Sequence, residues 1–160
     1  REPHRADSLG NFPNSLRPAN LFFSPLYKMD VKPPPTILLV EDEVSVRNFY
    51  QLYLEHHGFR VLPASSMSEA LRTLQRDMPA VILVDIYLGA DNGLDLLRGM
   101  HRSGLNVPAI VISGLPAESP LFEEALEAGA AAIYSKTRPI SDLLSEIRAL
   151  LRKSIGESSV

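Results

Sequence analysis

From residue 36 onward, the chain alternates short apolar runs with longer stretches in which apolar and polar residues mix. The run Ala80-Val81-Ile82-Leu83-Val84 is apolar throughout rather than at every second position, which is typical of a parallel strand that is buried on both faces. Parallel neighbours need a long crossover connection, and the intervening stretches are long enough to hold a helix each. The pattern predicts five strands, near residues 36–40, 59–63, 80–85, 107–112 and 131–135.

The stretches between the runs carry helical signals. Apolar residues of the first stretch recur at the spacing of one helix face, at Val46, Phe49, Tyr50, Tyr53 and Leu54. The second stretch opens on a serine that is followed three residues later by a glutamate, which is a capping box. We predict helices over about 44–57, from the box at 66–69 onward, over about 93–103 and 120–128, and around Leu143, Leu144, Ile147, Leu150 and Leu151. Strands that alternate with helices in this way favour an α/β fold with a doubly wound, five-stranded parallel sheet and five helices.

Residues 1–35 have a different composition from the rest. They hold seven of the thirteen prolines, including Pro33-Pro34-Pro35, and show no strand or helix periodicity. We predict a Pro-rich leader that is a linker or tail, a domain over 36–155, and a C-terminal tail or linker start at 156–160. The apolar clusters Leu21-Phe22-Phe23 and Leu26-Tyr27 leave open that the leader docks on this domain or on a partner.

Charge and cysteine content exclude several classes of protein. Residues 36–160 carry a net charge of −5, so direct nucleic-acid binding by this domain is not expected. The chain has no cysteine, which excludes disulfides and thiolate metal sites. No apolar stretch reaches the ~20 residues of a membrane span, and no signal peptide is visible. We therefore expect a cytoplasmic protein without membrane contact.

Candidate chemistry lies where the predicted strands end. Glu41 and Asp42 follow the first strand, Asp85 ends the third, Ser113 follows the fourth and Lys136 follows the fifth. Ligands of open parallel sheets bind at the carboxyl ends of the strands, so these side chains are expected to converge. Two carboxylates ~5 Å apart repel by roughly 3 kcal/mol at an effective dielectric constant of 20. The acids therefore need a cation, and an all-oxygen set suits Mg²⁺.

Four segments of the chain occur in a characteristic order and spacing. They are Ile37-Leu38-Leu39-Val40-Glu41-Asp42-Glu43, Val84-Asp85-Ile86-Tyr87-Leu88 with Gly93, Val111-Ile112-Ser113-Gly114, and Gly129-Ala130-Ala131 with Lys136. With these segments, residues 36–153 resemble the receiver domain of two-component response regulators, as found in chemotaxis regulators. The resemblance implies a flavodoxin-like fold with strand order 2-1-3-4-5.

The resemblance also implies a signalling switch rather than an enzyme. A sensor histidine kinase or phosphotransfer protein is the expected donor of a phosphoryl group. The face formed by the fourth helix, fifth strand and fifth helix (the α4-β5-α5 face) is where partners, or a second copy in a homodimer, are expected to dock. The implied roles are phosphoryl acceptor for Asp85, Mg²⁺ ligands for Glu41, Asp42, Asp85 and the Tyr87 backbone carbonyl, switch hydroxyl for Ser113 and phosphoryl-pairing lysine for Lys136.

Two alternatives remain open. The domain could be a pseudo-receiver that acts as a protein-interaction module without phosphorylation, or a receiver fragment of a hybrid histidine kinase or transcription factor. One departure from the family bears on the switch, since its usual aromatic three residues before the lysine is Ile133 here. The aromatic is Tyr134 instead, and an offset of one residue places that side chain on the other face of the strand.

Overall fold

A computed structural model describes residues 32–116 and 119–156, apart from the Ile155 side chain. The predictions for residues 1–31 and 157–160 lie outside the described residues. The strands of the main sheet are β1 Thr36–Val40, β2 Arg60–Ala64, β3 Val81–Asp85, β4 Ala109–Ser113 and β5 Ala132–Ser135. These five strands form one parallel sheet in the order β2-β1-β3-β4-β5, which confirms the predicted doubly wound, flavodoxin-like fold.

Five helices connect and follow these strands. The three helices for which both ends were predicted, near 44–57, 93–103 and 120–128, begin and end within about two residues of those positions. The capping box forms, since Ser66 Oγ accepts the Glu69 N–H. The Glu69 carboxylate accepts the N–H of Ser65, one residue earlier than the box requires. The helices are α1 Val44–His56, α2 Met67–Leu74, α3 Gly93–Arg102, α4 Pro120–Glu127 and α5 Ile140–Gly156. Among the described residues, no helix is both long and apolar enough to cross a membrane.

The sheet separates two hydrophobic cores that share no residue. On one side, Ile37, Leu39 and Leu83 pack with residues of α1 and α5. On the other side, Leu38 and Val84 pack with residues of α2, α3 and α4. Because side chains alternate along a strand, this arrangement fixes which way each strand-end residue projects. We refer to the two faces as the α1/α5 side and the α2/α3/α4 side.

One residue of the apolar face of α1 is largely exposed. Tyr50 and Leu54 are buried, whereas the Phe49 side chain is 56% exposed. The helix meets the sheet along a narrow stripe, and Phe49 lies at its edge with its ring centroid 5.7 Å from that of Tyr50. An apolar residue that fits the helical period can still lie outside the contact when the packed stripe is narrow.

A short hairpin that the sequence pattern did not indicate follows β3. Tyr87–Leu88 pairs antiparallel with Asp91–Asn92. Gly89 begins the two-residue loop at φ +63°, a conformation that favours glycine. The hairpin leads directly into α3, where the Gly93 N–H donates to the Ile86 carbonyl at 2.7 Å. The backbone after Asp85 is thus folded back over the carboxyl end of the sheet.

Candidate functional site

Three carboxylates meet at the carboxyl edge of the sheet. Asp85 is the last residue of β3, and Glu41 continues β1 by donating its N–H to the Ala64 carbonyl. Glu41 is 2% exposed and Asp85 is 7% exposed, whereas Asp42 is exposed. One oxygen from each of the three carboxylates lies within 4.8 Å of the others. The edge therefore gathers negative charge that is partly removed from water, as the sequence predicted.

Lys136 supplies the positive charge that this cluster needs. Its Nζ lies 2.5 Å from Asp85 Oδ2 and 2.9 Å from Glu41 Oε2. The backbone delivers it there, because the Lys136 N–H donates to the Ser113 carbonyl at 2.7 Å and so continues β5 beside β4. A lysine that bridges two buried carboxylates compensates charges that would otherwise be unpaired.

The pKa values of Glu41 and Lys136 reflect this charge compensation. Burial raises the pKa of the Glu41 carboxyl; the hydrogen bond from Lys136 offsets part of the rise, and the nearby Asp85 charge adds to it. Burial alone lowers the pKa of Lys136, but the hydrogen bonds and charges of Asp85 and Glu41 outweigh that effect. The pKa of Lys136 therefore lies above its ordinary value, and the ammonium is held in its charged form.

Two further carboxylate oxygens of the cluster are oriented by the hairpin. The Tyr87 N–H donates to Asp85 Oδ1 at 3.3 Å, and the Gly89 N–H donates to Asp42 Oδ2 at 3.0 Å. One hairpin thus fixes the orientation of acids from two different strands. The Tyr87 side chain is 57% exposed, so the contribution of this residue to the site comes from its backbone.

Ser113 reaches the same edge from the other side of the sheet. Its row of alternate residues, Ala109 and Val111, packs on the α2/α3/α4 side, whereas the rows that end in Glu41 and Asp85 pack on the α1/α5 side. Ser113 is 1% exposed, and its Oγ accepts the Leu115 N–H at 3.0 Å. The hydroxyl therefore belongs to the backbone turn that leads towards α4.

The donor set fits a hard divalent cation. Carboxylate oxygens on Glu41, Asp42 and Asp85 are the ligands that Mg²⁺ takes, and the exposure of Asp42 leaves room for the waters that Mg²⁺ retains. Within residues 32–116 and 119–156, this is the one cluster of at least three potential metal-ligating side chains. Beside this cluster lies an open cleft of about 320 Å³ that admits solvent. The cleft is lined by Ser45, Val46, Phe49, Tyr50 and Lys136.

The structure thus brings Glu41, Asp42, Asp85 and Lys136 together, whereas the Ser113 hydroxyl lies at the same edge and bonds within its own turn. It also shows two contacts at this edge that sequence reasoning missed. Gly93 packs so closely on β3 that an added Cβ would lie 1.9 Å from the Asp85 carbonyl oxygen. The Tyr134 hydroxyl bonds to the Arg138 carbonyl, across the turn that carries Lys136. A glycine at a helix start hints at the first contact, and no sequence signal indicates the second.

Comparison with known proteins gives a consistent family assignment. Residues 37–148 match the family model of the response regulator receiver domain. Regulatory protein VirG of Agrobacterium tumefaciens is 32% identical over 126 residues, which cover 79% of this chain and 47% of VirG. KDP operon transcriptional regulatory protein KdpE of Escherichia coli is 34% identical over 117 residues, covering 73% of this chain and 51% of KdpE. The chain thus spans about half the length of these curated relatives.

Solved structures of receiver domains are similar in fold. The BeF3-activated N-terminal receiver domain of Klebsiella pneumoniae RstA has a TM-score of 0.67 and 30% identity, covering 73% of this chain and 98% of that one. A CheY-like response regulator receiver domain protein of Methanospirillum hungatei has a TM-score of 0.71 and 27% identity, covering 78% of this chain and 98% of that one.

Proposed function

Because this chain belongs to the receiver-domain family of two-component response regulators, we propose that Asp85 is its phosphoryl acceptor. The observation that carries the proposal is the environment of the Asp85 carboxylate. It is nearly buried, it contacts Lys136 at 2.5 Å, and it lies within 4.8 Å of two further carboxylates. A carboxylate with a fixed cation and a metal-binding surround is suited to accept a group that brings more negative charge.

The proposed reaction is a phosphoryl transfer from the phosphohistidine of a sensor histidine kinase or phosphotransfer protein. An oxygen of ionised Asp85 forms a bond to phosphorus, and the bond from phosphorus to the histidine nitrogen breaks. The nitrogen takes the electron pair and a proton from solvent, which restores neutral imidazole, and Asp85 becomes an acyl phosphate. Lys136 pairs with the phosphoryl oxygens as they arrive, and the Tyr87 N–H continues to orient the carboxylate.

Mg²⁺ is the cofactor in this proposal. Glu41, Asp42, Asp85 and the Tyr87 carbonyl would hold it, and when bound it supplies positive charge to the transferring phosphoryl oxygens. The Gly89 N–H keeps one Asp42 oxygen in a fixed direction. Lys136 already compensates Glu41 and Asp85, so a bound Mg²⁺ would add to positive charge that this chain supplies itself.

The output is proposed to pass through α4, β5 and α5. In α4 only Ala125 is buried, Leu121 is partly buried against the core, and Leu126 is 56% exposed. This helix therefore buries few side chains and presents an apolar residue to a partner or second copy. A phosphorylated Asp85 would draw the Ser113 hydroxyl away from the Leu115 N–H, and the turn towards α4 would move with it. Receiver domains are signalling domains, and this domain would act upstream of an output such as the transcriptional regulation for which KdpE is named.

The test is the intact mass of the full chain after incubation with acetyl phosphate and Mg²⁺. We expect the gain of one phosphoryl group, which hydroxylamine removes because it cleaves acyl phosphates. Asp85→Asn is the test variant, and Asp91→Asn is the matched control because Asp91 is an exposed acid in the adjacent hairpin. The gain should persist in Asp91→Asn and disappear in Asp85→Asn and in EDTA.

Two outcomes would overturn the proposal. A gain that survives in Asp85→Asn would place the acceptor elsewhere. No gain in the wild-type chain, although Mg²⁺ binds, would favour the pseudo-receiver, which signals by docking alone.

A further inference from the structure

The segment that carries Lys136 is a tight turn. The Arg138 N–H donates to the Ser135 carbonyl at 3.0 Å, which closes a four-residue β-turn with Lys136 at its second position. The Thr137 N–H donates to Ser135 Oγ at 3.3 Å within the same turn. Lys136 is thus presented from a turn, and the direction of its side chain depends on how that turn is held.

Tyr134 holds the far end of this turn. Its side chain is 1% exposed and packs in the core on the α1/α5 side. Its hydroxyl donates to the Arg138 carbonyl at 2.8 Å, so the contact runs from the residue before the turn to the residue that closes it. A ring that is fixed in a packed core thereby sets the position of a loop on the surface.

The two ends of the turn are therefore fixed by different elements. At the start, the Lys136 N–H is bonded to the Ser113 carbonyl of β4. At the end, Arg138 is bonded to the Tyr134 hydroxyl, and its guanidinium forms an ion pair with Asp142 of α5 at 3.1 Å. Between these anchors, the Lys136 Nζ must reach Glu41 and Asp85 at once. A small rotation of the turn would remove one of these two contacts.

The geometry points to Tyr134 as a positioning residue for phosphoryl capture. By holding the Arg138 carbonyl, its hydroxyl keeps the turn in the orientation from which Lys136 reaches Asp85 and the oxygens of an incoming phosphoryl group. This inference rests on the proposed function. Tyr134 thereby has a role on the α1/α5 side of the sheet, whereas its neighbour Ile133 packs on the α2/α3/α4 side.

The test compares Tyr134→Phe with Tyr53→Phe. Both variants lose one phenolic hydroxyl and keep the ring, and both residues belong to the core on the α1/α5 side, but only Tyr134 bonds to the lysine turn. The first readout is the rate of phosphorylation by acetyl phosphate in saturating Mg²⁺. The second is the affinity for Mg²⁺ alone, which depends on Glu41, Asp42 and Asp85.

We expect Tyr134→Phe to slow phosphorylation about tenfold, because small misplacements of a catalytic group have effects on that order. The affinity for Mg²⁺ should stay within about twofold of wild type, and Tyr53→Phe should change neither quantity. In a Lys136→Met background, Tyr134→Phe should have less than about a twofold effect on the rate, since the group that it positions is gone.

Several outcomes would overturn the inference alone. The first is an equal phosphorylation rate for Tyr134→Phe and Tyr53→Phe. The second is a loss of Mg²⁺ affinity in Tyr134→Phe as large as its loss of rate, which would show that the whole site has loosened. The third is an effect of Tyr134→Phe on the rate that is just as large in the Lys136→Met background. A wild-type chain that takes no phosphoryl group would instead overturn the proposed function, and the inference with it.

Discussion

Substitution of Gly93 by alanine is expected to destabilise the protein, although alanine is the better helix former. A Cβ atom at this position would lie 1.9 Å from the Asp85 carbonyl oxygen and 2.9 Å from Val84 Cγ2. Non-bonded heavy atoms come no closer than about 3.5 Å without repulsion, so the helix and the strand would have to separate by more than about 1 Å. The strand cannot yield easily, because β3 is paired with β1 on one side and with β4 on the other.

The size of the effect follows from this geometry. Overpacking a filled site costs about 1–3 kcal/mol, and separation would also stretch the 2.7 Å hydrogen bond from Gly93 to Ile86, which is worth about 1 kcal/mol. The helix preference of alanine offsets up to about 1 kcal/mol. We therefore expect the free energy of unfolding to fall by about 2 kcal/mol. The displaced atom belongs to Asp85, so the phosphorylation rate should fall as well.

Gly99→Ala is the matched control, because it is the same substitution in the same helix. A Cβ there meets no atom within 4 Å, so alanine should raise the free energy of unfolding by about 0.5–1 kcal/mol. Urea denaturation followed by circular dichroism measures both variants. The reasoning is refuted if Gly93→Ala unfolds within about 0.5 kcal/mol of wild type, or if the two variants shift in the same direction.

Two further predictions concern tyrosines. Tyr87 lies two residues after Asp85, and Leu115 lies two residues after Ser113. Neither side chain has an amide or carboxylate that could orient a water for hydrolysis of the acyl phosphate, so autodephosphorylation should be slow. Tyr87→Asn should shorten the phosphoryl half-life in a decay assay by mass, and a longer half-life in that variant would contradict this. Burial raises the pKa of Tyr50 to about 12, from 10.0, so the folded state keeps the phenolic proton more tightly than the unfolded state. The contribution of Tyr50 to the free energy of unfolding is then fully present below pH 10 and is lost as the pH rises to about 12. The Tyr50→Phe variant should not show this loss in urea titrations at increasing pH. Equal losses in the wild-type protein and the variant would show the reasoning to be wrong.

The elements that could be predicted are those with a strong period. The central strands β1, β3 and β4 are visible as apolar runs, and the carboxyl ends of β1, β3 and β5 place Glu41, Asp85 and Lys136 at one edge. The alternation of side chains also predicted that Tyr134 and Ile133 would project to opposite faces, and their packing on opposite sides of the sheet confirms it. These successes rest on geometry that repeats along the chain.

The features that could not be predicted depend on contacts between distant segments. The hairpin at 87–92 has strands of two residues, which is too short for a period to show. Phe49 fits the period of α1, but its exposure depends on the width of the contact with the sheet. The bond from Tyr134 to the Arg138 carbonyl depends on the path of a turn, and residue types do not encode that path.

The separation of the two cores has a consequence for how such a domain can diversify. Glu41, Asp85 and Lys136 extend strand rows that pack on the α1/α5 side, while Ser113 and Ile133 belong to the α2/α3/α4 side. A substitution among the side chains of α2 or α4 removes no packing partner from the first core, because no buried residue is common to both. Natural selection, or a protein engineer, can therefore vary these two helices while keeping the side chains that surround Asp85 on the α1/α5 side.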